Sequence, residues 1–326
     1  MKAINVLPRI LWSLLLVTMA TLAQEQKPPS QGEIEAAQKV QNAKDLPAKM
    51  KQAEEFMKKN SKSSLRPKVA EYLSIEIGNV MDAKQRLSYI ESYSKLFSSE
   101  VEQGFLATSL VDAYAQTDKL DEAFKLAPKA FEKSPDNVLL MTQLALKGSN
   151  AVRQGNAQYS EPSKQYALKA IEMIETDKKP ANINDQYWGE IKSKWLPELH
   201  QALGFIAFSA GDGAEAKVRF QKVVQLNPQN PNGYLMMASF ADGDYQRAAM
   251  EYNTASGAAK DGALKKAYEH LDSVIDYYAR VVALTEPKPE YKQIHDQVLP
   301  ALQDTYKVRK GSLDGLQQLI EKYKKQ

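Results

Sequence analysis

Apolar positions recur three and four residues apart along almost the whole chain, and no stretch alternates apolar and polar residues with a period of two. That pattern predicts helices and no sheet. Leu46 to Lys59 carries Met50, Ala53, Phe56 and Met57 on one stripe, and Leu65 to Phe97 carries Val69, Tyr72, Leu73 and Ile77. Near the C-terminus Leu264, Leu271 and Tyr278 lie seven apart, with Val274, Ile275, Val281 and Val282 widening the face, which predicts a helix from Leu264 to Leu284. Ser256 to Gly262 reads as a linker before it. Glu286-Pro287-Lys288-Pro289 ends it, and two further helices are expected over Tyr291 to Val308, bent at Pro300, and Gly311 to Tyr323.

The middle of the chain has a longer period, because its helices arrive in pairs joined by short turns. In one window Ala107, Leu110, Tyr114, Ala123, Ala130 and Pro135 are spaced as a helix hairpin requires. In a second the set is Leu203, Gly204, Gly211, Ala216, Phe220 and Pro228. Small residues such as Gly204 and Ala216 let two helices approach closely, and Phe220 then fills the groove between neighbours. Asp212 is placed to cap the second helix, while Asn227-Pro228-Gln229-Asn230-Pro231 stops the chain from continuing as one helix. A third unit is expected to turn at Gly243-Asp244-Tyr245, with Ala248, Tyr252 and Ala255 on its second helix. A more degraded unit runs from Asn137 to Arg153 and resumes at Ser160 or Pro162 with Ala167 and Ala170. One hairpin cannot bury its own apolar face, so neighbours are required.

On these residues the segment 104–256 resembles the tetratricopeptide repeat family, and the whole chain resembles exported bacterial members of it. Val111, Ala127, Pro128 and Ala207 depart from the usual pattern. The resemblance implies an all-α fold, an α-solenoid of antiparallel helix hairpins (a TPR-like superhelix), with residues 33–103 as TPR-like helices, 104–256 as the array and 257–326 as a C-terminal helical cap. It also implies a concave face lined by the first helix of each hairpin, where a protein or peptide partner binds. Carried over by position, that face holds Thr108, Asp112 and Gln116 in the first window and Gln201, Phe205 and Phe208 in the second. The Lys and Asn pair with which some members clamp a terminal carboxylate is missing at those places.

Residues 1–23 have the layout of a secretory signal: Lys2 and Arg9, an apolar run from Ile10 to Ala20, and Thr21-Leu22-Ala23 before Gln24. The run falls short of the roughly 20 residues of a membrane span, although an uncleaved anchor is the alternative reading. A polar, proline-bearing leader occupies 24–32. The chain has no cysteine, and after residue 23 it has no Asn-x-Ser/Thr acceptor. Both fit export to a bacterial envelope, periplasmic or secreted.

Composition narrows the chemistry further. With 43 basic and 40 acidic residues interspersed along the helices, no surplus of positive charge is available for a nucleic acid. His200, His270 and His295 stand alone on their segments, so no metal site is expected, and no cofactor motif occurs. There is no Gly-x-Ser-x-Gly elbow, and Gly211-Asp212-Gly213 sits at a helix turn rather than after a strand. Paired carboxylates such as Glu54-Glu55 read as a solvated face. The expectation is a non-catalytic interaction protein. The alternatives are a glycan or small-molecule receptor using Tyr187, Trp188 and Trp195, which otherwise pack as core, and an enzyme with an unrecognised site.

Overall fold

A computed structural model describes residues 28–286 and 288–325. The predicted signal at 1–23 and the first part of the leader lie outside the described residues. The chain divides into two compact units after Leu106, and no strand occurs among the described residues.

The first unit contains α1 (Gln31–Asn42), α2 (Leu46–Asn60), α3 (Arg66–Gly78), α4 (Ala83–Leu96) and α5 (Glu100–Phe105). Helix α1 starts within the polar segment 24–32 because Ser30 and Glu33 form a capping box. The Glu33 N–H donates to Ser30 Oγ at 3.3 Å, and the Ser30 N–H donates to the Glu33 carboxylate at 2.7 Å. The apolar stretch 65–97 is two helices, not one. Gly78 ends the first, and Asp82 caps the second by accepting the Gln85 N–H at 2.7 Å. Phe56, Leu73, Ile77, Tyr93 and Phe97 form the buried core. Arg66 clamps the buried Glu102 with two hydrogen bonds of 2.6 and 2.9 Å. Burial alone would raise the Glu102 pKa, but Arg66 and Ser99 outweigh it and hold the carboxyl below its usual range.

The second unit contains α6 (Ala107–Gln116), α7 (Leu120–Lys133), α8 (Val138–Arg153), α9 (Ser160–Glu175), α10 (Asp185–Ser209), α11 (Gly213–Leu226), α12 (Pro231–Thr254), α13 (Gly257–Thr285), α14 (Lys292–Lys310) and α15 (Leu316–Lys324). Consecutive helices pair as α6 with α7, α8 with α9, α10 with α11, and α12 with α13. Successive pairs then join through α6 with α8, α8 with α10, and α11 with α12. This is the hairpin-on-hairpin order of an α-solenoid. The last two helices, α14 and α15, both pack on α13.

Glycines set the closest approaches. A Cβ on Gly204 would fall 2.8 Å from the ring of the fully buried Phe220, so α10 and α11 touch through a missing side chain. The same device occurs at Gly148, where Phe124 would lie 2.8 Å away, and at Gly233, where Val224 would lie 2.9 Å away. Asp212 caps α11 by accepting the Glu215 N–H at 3.0 Å, following Gly211 at φ +79°. Pro128, Pro197 and Pro300 each lie inside a continuous helix.

Two expectations are corrected. No turn occurs at Gly243-Asp244-Tyr245, because α12 runs unbroken from Pro231 to Thr254. Tyr234, Met237, Ala238, Ala241 and Ala248 keep one buried stripe in register across that point. Asp244 also ties the helix to α11 through Lys217 at 2.7 Å and pairs with Arg247 one turn on. The segment Ser256 to Gly262 is likewise no linker. The chain reverses at Ala255-Ser256, and Gly257, at φ +58°, opens α13.

These contacts predict opposite outcomes for two alanine substitutions. Gly204→Ala should lower the stability of the second unit by about 1–3 kcal/mol through overpacking against Phe220. Gly243→Ala, whose Cβ meets nothing closer than the tip of Arg247, should raise it by about 0.5–1 kcal/mol. Urea melts compare the two, and a loss at Gly243 would restore the turn there.

His200 is buried between α9 and α11, with Nδ1 3.4 Å from Arg219 Nη1 and Nε2 3.8 Å from Glu175 Oε1. Burial, then the Arg219 charge, push its pKa below the ordinary value. The unfolded chain therefore takes up a proton at about pH 6.5 that the folded chain refuses until lower pH. Stability should fall as pH drops through that value and level off below the folded pKa. Melts from pH 7.5 to 5 on wild type and His200→Gln should show a steeper loss for wild type, by up to about 1.4 kcal/mol per pH unit. Parallel curves would contradict this.

Candidate functional site

Helix α10 buries Leu199, Ala202, Leu203 and Ile206 against its neighbours. What remains is a stripe of Lys194, Glu198, Gln201, Phe205 and Phe208, spaced four, three, four and three residues apart and partly or fully exposed. Helix α8 leaves a stripe of the same spacing: Leu139, Gln143, Leu146, Asn150 and Arg153. The two helices pack together, and their stripes meet at a pocket of about 400 Å³ lined by Leu146 and Asn150 on one side and by Glu198, Gln201 and Phe205 on the other.

The third wall is the loop from Asn227 to Asn232, with Tyr291 beside it. Asn230 does two things there. Its side-chain oxygen accepts the Gly233 N–H at 3.0 Å and caps α12, and its amide donates to Gln201 Oε1 at 3.0 Å. The loop is thereby pinned to α10. Asn150, Asn232 and Gln229 add further amides to the walls, so the pocket offers donors and acceptors together.

Glu198 is the acidic group in this setting. It is half-buried and makes no hydrogen bond or ion pair among the described residues. Burial pushes its carboxyl above the usual range, while the charge of the exposed Lys194 pulls the other way. The far end of the stripe is aromatic. The Phe205 ring meets Phe220 edge-on at 5.0 Å and carries the Arg153 guanidinium 4.1 Å over its face. Phe208 is 50% exposed, with Phe240 at 6.2 Å edge-on.

Gln201 and Phe205 therefore line one pocket, and Phe208 continues the same stripe. Thr108, Asp112 and Gln116 lie elsewhere, on α6, with α8 standing between them and α10. Gln116 donates to the Asp112 carboxylate at 2.8 Å, and Gln143 reaches the Asp112 carbonyl at 3.4 Å. Trp188 is core: it is 4% exposed, and its Nε1 donates to Asp177 at 2.7 Å. Tyr187 and Trp195 meet edge-on at 6.3 Å, and the pocket is not lined by any of the three. Sequence reasoning missed Glu198, Asn150, Asn230 and Asn232. Glu198 sits three positions before Gln201 on the same stripe, which was the available signal. The loop asparagines were legible only as a helix stop.

Among the described residues no three His, Asp or Glu side chains gather into a metal-binding group, and no helix is long and apolar enough to cross a membrane.

Comparison with known protein families gives no match, and no curated protein matches the chain. Among solved structures, a tetratricopeptide repeat protein from Parabacteroides merdae is similar at 13% identity, covering 84% of this chain and 99% of its own, with a TM-score of 0.37. A monomeric mutant of IFIT1 with Gppp-AAAA is similar at 18% identity over 89% of this chain, with a TM-score of 0.29. The human IFIT1 dimer with m7Gppp-AAAA gives the same identity, coverage and score. This chain spans 62% of the length of each IFIT1 chain. The paired helices, the glycine close approaches and the hairpin-on-hairpin order make the second unit tetratricopeptide-like in fold.

Proposed function

We propose that the protein is a non-catalytic interaction scaffold of the bacterial cell envelope, and that it takes up a peptide or protein segment along the α8 and α10 stripes. The observation that carries this reading is the pocket between them. Its walls of Asn and Gln side chains can pair with both the N–H and the C=O groups of an extended chain, and the adjoining Phe205 and Phe208 can accept an apolar side chain. The envelope placement rests on the export layout of residues 1–23 and the absence of cysteine. A glycan receptor built on Tyr187, Trp188 and Trp195 has less support, because Trp188 is buried and the other two rings meet edge-on rather than forming a flat platform.

A photo-crosslinking residue placed at Gln201, tested in intact cells, should trap a protein partner. The same residue at Gln186, exposed at the other end of α10, should trap at least about tenfold less, and Phe208→Ala should reduce the Gln201 product by about as much, a loss of roughly 1.4 kcal/mol. Equal trapping from both positions would reject the groove.

A further inference from the structure

The groove is asymmetric in charge and in polarity, and the asymmetry says what kind of segment it accepts. At one end Glu198 lies half-buried in the pocket with no partner of its own. A carboxylate withdrawn from water and left unpaired is unfavourable, and a cationic donor entering the pocket supplies the missing partner. At the other end Phe208 and Phe240 present half-exposed rings. Arg153, stacked on Phe205, adds a positive charge there that opposes a second cation.

We propose that the groove reads an extended segment carrying a Lys or Arg side chain, set against Glu198, and a bulky apolar side chain roughly four to five residues away, set against Phe208 and Phe240. The spacing follows from the helix. Glu198 and Phe208 are ten positions apart on one stripe of α10, about 15 Å at 1.5 Å per residue. An extended chain covers that distance in four to five residues at about 3.3 Å each. Between the two anchors the amides of Asn150, Gln201 and Asn232 face the backbone of the segment. Arg153 fixes its direction, because reversing the segment would bring its cation to a positive end and its apolar side chain to a charged one. The exposed Lys194, one turn before Glu198, makes no ion pair with it and leaves the carboxyl available.

This specificity rests on the groove being a peptide site, and the test separates the two. Fluorescein-labelled peptides in a Ser/Ala background, with one Arg and one Phe spaced one to eight residues apart, are titrated against the whole purified chain by anisotropy. A matched series carries Glu in place of Arg. The expected result is tightest binding at a spacing of four or five, weakened at least about tenfold by Glu for Arg, which corresponds to roughly 1.4 kcal/mol. Glu198→Gln should abolish the charge preference while keeping the dependence on Phe, and Glu198→Asp should restore it. Circular dichroism confirms that each variant is folded. Peptides that bind and are lost on Phe208→Ala, yet show no preference for charge or spacing, would overturn the specificity and leave the groove standing. Failure of every peptide in both series to bind would overturn both.

Discussion

The second unit depends on one constraint: helix α10 must be packed by α8, α9 and α11 at the same time. A helix of ordinary diameter cannot meet three neighbours closely unless some contact positions carry almost no side chain. Gly204 supplies this toward α11, where the Phe220 ring occupies the space a Cβ would need. Gly148 supplies it on α8, against Phe124 and Ser163. Ile191, Leu199 and Leu203 are buried as a result, and the remaining face of α10 is fixed by subtraction. The binding stripe is what three-sided packing leaves over.

The same reasoning explains how the loop after α11 comes to belong to the site. Pro228 and Pro231 forbid a continuous helix, and Asn230 satisfies the start of α12 while donating to Gln201. A helix cap and a pocket wall are therefore one residue. Beyond the loop, α12 and α13 pack along each other, and α14 and α15 close the apolar face of α13, with Leu302, Ile320 and Tyr323 in the shared core. No further hairpin is needed to cover that face.

Much of the fold was legible because helix periodicity, Pro and Gly report local geometry. The hairpin at Gly204, Gly211, Ala216, Phe220 and Pro228 was read with its turn, its cap and its close contact. The misreadings have a common cause. Gly243-Asp244 looks like a turn when only local propensity is weighed, yet the stripe from Tyr234 to Ala248 buries against the neighbouring helices and holds the helix through it. Gly257 to Gly262 looks like a linker for the same reason and is helical because α13 lies along α12. Gly148 went unnoticed because its partners, Phe124 and Ser163, are distant in sequence. The site was half legible. Position on a stripe is local, so Gln201, Phe205 and Phe208 could be named. The want of a partner for Glu198 and the arrival of Asn230 are tertiary facts, and the separation of the α6 residues from the α10 residues depends on α8 lying between them.

The account stands or falls with α10 being a single rigid helix through Pro197, since a break there would scatter the stripe. The chain has no cysteine, so spin labels at Lys194→Cys and Ser209→Cys would be the only ones attached. A continuous helix places these exposed positions about 22 Å apart, at 1.5 Å per residue, and pulsed dipolar measurement should give one narrow distribution near that distance. A broad distribution, or one centred well below it, would mean that the helix ends at Pro197 and that Glu198 to Phe208 do not share one face with Lys194.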